Sequence, residues 1–105
     1  MTSLSAHQKS LLTAGRLRDQ LGNGDVTRVS TAAFAVVDAL QERKEELLPG
    51  EYIGAVAAAF ILSLEAAHIP AADVFSLTRN LMADANGRRT EFTAIKEYIK
   101  GEILK

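Results

Sequence analysis

Apolar residues recur every three or four positions along most of the chain, which is the spacing of one side of an α-helix. The second predicted helix shows this best, because one side of it carries Val26, Val29, Ala33, Val36, Val37 and Leu40. Runs of β-branched residues are short, and alternation with a period of two is absent. The pattern therefore predicts an all-α chain of five helices without a sheet, over residues 5–21, 26–47, 51–68, 70–85 and from 90 onward.

Residues that favour helix ends and turns separate these segments. Ser5 and Gln8 form a capping-box pattern before the first helix, and the Gly22-Asn23-Gly24-Asp25 stretch follows it. Pro49 and Pro70 open the third and fourth helices, and Asn86-Gly87 closes the fourth. Thr90 is a candidate N-cap for the last helix, and Gly101 weakens its end. The second helix is either one rod or broken near Ser30-Thr31, where a second N-cap is available.

The third helix differs from the others because it is apolar on nearly every side. Alanine and glycine fill the positions between its larger apolar residues. A helix of this kind is normally covered on all sides. We expect it to be the central helix of a single compact domain, wrapped by the other four, or else to be covered in part by a second copy of the chain. The candidate core or oligomer-interface residues are Ile53, Val56, Phe60, Ile61 and Leu64.

Composition narrows the possible classes of protein. The chain has 105 residues, 48% of them hydrophobic and 24% charged, which suits one globular domain spanning residues 1–105. It has no cysteine, which excludes disulfides, thiolate metal sites and a cysteine nucleophile. No signal-peptide pattern is present, and the most apolar run, residues 53–64, is shorter than the roughly twenty residues of a membrane span. We therefore expect a cytoplasmic protein that does not contact membranes.

Catalytic and metal-binding patterns are absent from the sequence. The two histidines, His7 and His68, lie 61 residues apart, so they form no paired-histidine metal motif. The Gly22–Asp25 turn lacks the Gly-Lys-Ser/Thr ending of a phosphate loop, and no Gly-x-Ser-x-Gly elbow occurs. Glu65 is the carboxylate of most interest for acid–base chemistry, because it lies near the end of the apolar helix. Its carboxylate is either partly removed from water or faces solvent. We predict no enzymatic activity, no cofactor and no metal site.

Basic residues gather in the last quarter of the chain although the net charge is −1. Arginine forks suit phosphates and carboxylates, so these residues are a candidate surface for an anion, a nucleic acid or an acidic partner. The alternative is a solvated turn whose arginines cap the preceding helix and pair with Asp84 or Glu91. A helix-turn-helix interpretation is disfavoured by Glu91 at the exposed start of the last helix. The candidate binding residues are Arg79, Arg88, Arg89, Lys96 and Lys100.

The stretches 74–82 and 86–92 resemble small all-helical proteins of tailed bacteriophages. The resemblance transfers no catalytic or binding residue. It implies a bacterial host and a protein that binds and modulates a host protein or sequesters a ligand.

Two functional hypotheses follow from the residues and this resemblance. The first is a non-enzymatic protein-interaction module, in which a phage-encoded modulator or inhibitor of a host protein also self-associates, with a dimer favoured. The alternative is a helical protein that binds an anion, a nucleotide or nucleic acid through the basic turn and the last helix.

Overall fold

The computed structural model describes residues 15–43 and 45–104, and it is that of a small all-α domain. Its described helices are residues 15–22 (α1), Val26–Gln41 (α2), Pro49–Ala67 (α3), Ala71–Leu81 (α4) and Thr90–Tyr98 (α5). A π-helical turn, Ile99–Ile103, continues α5. The predicted all-α class is confirmed. The predicted capping box of Ser5 and Gln8, and His7, lie outside the described residues.

The second helix is a continuous rod that ends earlier than predicted. It runs through Ser30, whose hydroxyl donates to the carbonyl of Thr27 over 3.2 Å instead of capping a new helix. Asp25 caps its start by accepting from the backbone N–H of Arg28 over 2.9 Å. The prediction placed its end at residue 47, but the helix ends at Gln41. Beyond Leu40, the charged residues offer no apolar side to pack, so nothing stabilises a further turn of helix.

A small β-hairpin joins α4 to α5, where the sequence predicted helix up to residue 85. Strands Ala83–Asp84 (β1) and Gly87–Arg88 (β2) pair antiparallel, with Ala83 opposite Arg88. Gly87 has a φ of 108°, a conformation that favours glycine, and Asp84 accepts from the N–H of Asn86 over 2.8 Å. The N-cap of α5 is Arg89 instead of the predicted Thr90. Strands of two residues are too short to show the alternation of apolar and polar residues by which a strand is predicted, so the sequence did not indicate this hairpin.

The core lies between α2, the end of α5 and the first turn of α3. Val37, Tyr52 and Ile103 form its buried centre, and Leu40, Ile95, Tyr98 and Ile99 pack around them. The hydroxyl of Tyr98 donates to Asp38 over 2.9 Å, and the Tyr98 ring lies 5.0 Å from that of Phe34, so both contacts tie α5 to α2.

A second set of contacts holds α4 against the turn between α1 and α2. Leu81 is buried there, and a Cβ added at Gly24 would lie 2.9 Å from its side chain, so a larger residue at position 24 would force the Leu81 side chain to shift. Arg18 of α1 and Asp73 of α4 form an ion pair at 3.7 Å. The Gly22–Asp25 stretch is thus the helix–helix turn that the sequence predicted.

The central position predicted for the apolar helix is wrong. Tyr52 is the one buried residue of α3, and no residue of α3 beyond its first turn belongs to the core cluster of the described chain. Ile53, Val56 and Ile61 are 56%, 39% and 52% exposed, so they are not core residues of this chain. Phe60 and Leu64 are half-buried. The sequence shows that such a helix needs a cover, but it does not show that the other helices supply one.

Leucine-to-alanine substitutions at two positions test where the core lies. Leu81 is 8% exposed and Leu62 is 63% exposed. We expect Leu81→Ala to lower the free energy of unfolding by about 2–5 kcal/mol, because it leaves a cavity. Leu62→Ala should change it by less than about 0.5 kcal/mol. Urea denaturation followed by circular dichroism measures both; equal losses would contradict this placement of the core.

High pH should destabilise the fold through Tyr98. Burial, and then the hydrogen bond to Asp38, raise the pKa of Tyr98 above its usual value. A raised pKa favours the protonated phenol in the folded state, so this stabilisation is complete below about pH 10 and is lost as pH rises through the folded pKa. Thermal melts should show a smaller fall in stability above pH 10 for Tyr98→Phe than for the wild type. Identical falls would exclude a contribution from Tyr98.

Candidate functional site: the exposed face of α3 and its groove

The helix α3 forms because several local signals agree. Pro49 occupies its first position, and the Glu51 carboxylate accepts from the backbone N–H of Leu48 over 2.9 Å. Alanine, the best helix former, fills much of its middle. His68 ends the helix in the left-handed conformation, with φ 56°. The result is an unbroken helix of 19 residues.

Little of this helix is covered by the part of the chain that the structure describes. Of its most apolar 18-residue stretch, 6% is buried. Within the part of the chain that the structure describes, α3 is the one helix that is long and apolar enough, by length and composition alone, to cross a membrane. A core helix of a globular protein would pass the same test but would be buried, so the exposure of α3 needs another explanation.

An apolar groove runs between the C-terminal half of α3 and α4. It has a volume of about 840 Å³. The rings of Phe60 and Phe75 lie 5.1 Å apart, and Phe75 is still 48% exposed. Glu65 and His68 are the titratable residues of its lining, and both are exposed. The lining residues are Ala57, Phe60, Ile61, Leu64, Glu65, His68, Ile69, Pro70, Ala71 and Phe75.

Three of the predicted interface residues, Phe60, Ile61 and Leu64, therefore line one groove, whereas Ile53 and Val56 lie on the exposed N-terminal half of the helix. Phe75 of α4 also lines the groove, although it was not among the predicted site residues. Glu65 faces solvent, which is the second of the two arrangements that the sequence left open.

The five basic candidate residues do not form one free surface. The Nε of Arg89 donates to the carbonyl of Leu81 over 3.1 Å, which caps the end of α4. The guanidinium of Arg79 lies 5.8 Å from the centre of the Phe75 ring, and Lys100 pairs with Glu97 at 3.7 Å. Arg88 and Lys96 are exposed. The arrangement fits the alternative in which an arginine caps the preceding helix.

The start of α5 carries negative charge. Backbone N–H donation at the helix start, and then the hydroxyl of Thr90, lower the pKa of Glu91, so its carboxylate stays ionised. An ionised carboxylate at this position disfavours entry of α5 into a DNA groove. Among the described residues, no group of three or more His, Cys, Asp or Glu is placed to hold a metal ion.

Comparisons of the chain with protein-family models, with curated proteins and with solved structures gave no match. The resemblance to bacteriophage proteins therefore stays a prediction.

Alanine substitutions of the two adjacent arginines separate a structural role from a binding role. Arg89→Ala removes the cap on Leu81, so we expect it to lower the free energy of unfolding by about 1 kcal/mol. Arg88→Ala at the exposed neighbouring position should change it by less than about 0.5 kcal/mol. Urea denaturation of both variants measures the difference. Equal stabilities would show that the Arg89 contact contributes nothing to the fold.

Proposed function

We propose that the protein is an interaction module that binds another protein through the exposed apolar side of α3 and the groove beside it. One observation carries the proposal: beyond Tyr52 in its first turn, the apolar helix α3 adds no residue to the core. Large exposed apolar patches usually mark surfaces that bind a partner. The exposed large apolar residues on and around this helix are Leu48, Ile53, Val56, Ile61, Leu62 and Phe75.

The groove supports binding of an apolar protein surface more than it supports catalysis. Its walls are mainly aliphatic and aromatic side chains from α3 and α4. Grooves of this kind hold the apolar side of a helix by burying anchors spaced three or four residues apart. General acid–base catalysis would need paired polar groups directed at a bound substrate.

A membrane is the competing explanation for the exposed helix. Glu51 and Glu65 stand fourteen positions apart within α3. A helix rises about 1.5 Å per residue, so the two carboxylates are about 21 Å apart along the axis. The hydrocarbon core is about 30 Å thick, so a spanning α3 would place carboxylate groups inside it. Burial of Tyr52 in the core also fixes one end of the helix to the rest of the domain. Both observations favour a protein partner.

The alternative function, binding of an anion, a nucleotide or nucleic acid, has less support. Arg79, Arg89 and Lys100 already contact Phe75, Leu81 and Glu97. The bacteriophage resemblance adds that the protein modulates a protein of a bacterial host. A cytoplasmic setting is a separate part of the proposal. Neither is needed for the argument from α3.

Site-specific photocrosslinking in cells that carry the gene tests the proposed function. A benzophenone amino acid replaces Ile61 in one variant and Lys96 in another; both positions are exposed, one beside the groove and one on α5. We expect irradiation to yield discrete protein adducts from position 61 and none from position 96. Mass spectrometry of the adducts identifies what was crosslinked.

Each other outcome contradicts the proposal in a different way. Adducts from position 96 alone would move the binding surface to the basic residues of α5. Recovery of the protein in the membrane fraction, with lipid adducts at position 61, would assign α3 to a bilayer. The absence of adducts at both positions would remove the support for an interaction module.

A further inference from the structure

We propose that the partner of α3 is a second copy of the same chain, joined by a two-fold axis that passes beside Ala57. In this dimer the two α3 helices run antiparallel, and the groove of each copy receives the N-terminal half of the other copy's α3. This inference rests on the proposed function, because it assigns an occupant to the same surface.

One side of α3 has the residues that such a pairing needs. At 100° per residue, a single stripe carries Gly50, Ile53, Ala57, Ile61 and Leu64, spaced by three or four positions. Ile53 and Ile61 are 56% and 52% exposed. Ala57 is exposed as well, and it lines the groove. The stripe carries no charged residue.

The stripe is complementary to itself when it is reversed. In an antiparallel pair centred on Ala57, each residue faces the residue that is equally far on the other side of Ala57 in the second copy. Ile53 then faces Ile61, and Ala57 faces its own equivalent. Further out, Leu64 faces Gly50 and Phe60 faces Gly54. Each large side chain therefore meets a glycine, and the residues of intermediate size meet each other.

The glycines also make the N-terminal half of α3 slender enough for the groove. A Cβ added at Gly50 or at Gly54 would have nothing within 4 Å, so both positions are open on the surface of the single chain. Small residues let two helix axes approach to about 8 Å, the close end of the range for packed helices. The groove of about 840 Å³ beside Phe60 and Phe75 then receives this half of the second α3.

The charges at the ends of α3 fit the antiparallel arrangement. Glu65 at the groove faces the start of the second copy's α3, where the helix dipole is positive. Glu51 faces the position of Ser63 and not another carboxylate. The dipoles of the two helices also oppose each other. A parallel pair would instead bring each carboxylate close to its own equivalent.

The available area is sufficient for a dimer of moderate affinity. Half the lateral surface of a 19-residue helix that is about 10 Å wide is about 450 Å². One third of the surface of α4, 11 residues long, adds about 150 Å². The two copies together would bury about 1,200 Å², at the lower end of stable protein interfaces. We therefore expect a dimer that dissociates on dilution.

Sedimentation velocity of the purified full chain tests the dimer. At concentrations of tens of micromolar, the molar mass of the wild type obtained from sedimentation should be twice the 11.3 kDa of one chain. Ala57→Glu places two like charges at the axis and should raise the dissociation constant at least about 100-fold. Ala58→Glu is the matched control, since it changes an exposed alanine one position further along the same helix and outside the stripe. Circular dichroism should show the same helix content in all three proteins.

A mixing experiment tests the position of the axis. Ala57→Glu and Ala57→Lys should each be monomeric, and an equimolar mixture should form a heterodimer, because residue 57 faces its own equivalent in the second copy. A mixture that stays monomeric, or an Ala57→Glu variant as dimeric as the wild type, would overturn this arrangement. A wild type that is monomeric at every concentration would overturn the second copy as partner. Adducts to other proteins from position 61 would then still support the proposed function.

Discussion

The burial of Tyr52 against Val37 and Ile103 is the contact on which the placement of α3 depends. It fixes the first turn of α3 to the core that α2 and α5 form. Burial raises the pKa of the Tyr52 phenol, as expected for a group that is removed from water. Tyr52 is the one buried residue of α3, and Phe60 adds a half-buried contact with Phe75 of α4. Much of the remaining apolar surface of α3 is therefore exposed and open to a partner.

The amphipathic helices of the domain could be predicted from the sequence, and α3 could be predicted only in part. In α2 and α5, most apolar residues keep to one side, so the sequence identifies the helix and roughly the side that packs. Val36 is the exception in α2, since it belongs to the predicted stripe and is 57% exposed. In α3, apolar residues occur all round, so periodicity identifies the helix but no preferred side. Tyr52 becomes the anchor because it lies in the first turn, where α2 and the π-helical turn after α5 are within reach. That choice depends on the tertiary arrangement.

The candidate site was predictable to a similar extent. Five apolar residues of α3 were expected to be core or interface, and the structure excludes three of them from the core of the single chain. The groove itself requires α4 to lie beside α3 with Phe75 turned toward Phe60, and neither helix encodes that crossing alone. The hairpin between α4 and α5 escaped prediction for a related reason. The turn of this hairpin depends on Gly87 and on the Asp84 side chain. Both residue types also occur where a helix simply ends, so they do not indicate a hairpin by themselves.

The exposed α3 makes the stability of this domain depend on what covers it. The single chain buries five hydrophobic residues among those described, and none is less than 2% exposed. A partner that binds only the folded chain stabilises it by mass action, so a cover on α3 adds to a modest core. Exposed apolar surface without a partner would favour nonspecific association. The glycines and alanines of α3 limit this nonspecific association. Small side chains contribute contact area mainly when a second helix packs closely against them, and they contribute little in loose contact with an arbitrary surface. The composition of α3 thus favours one well-fitted partner over many poor ones.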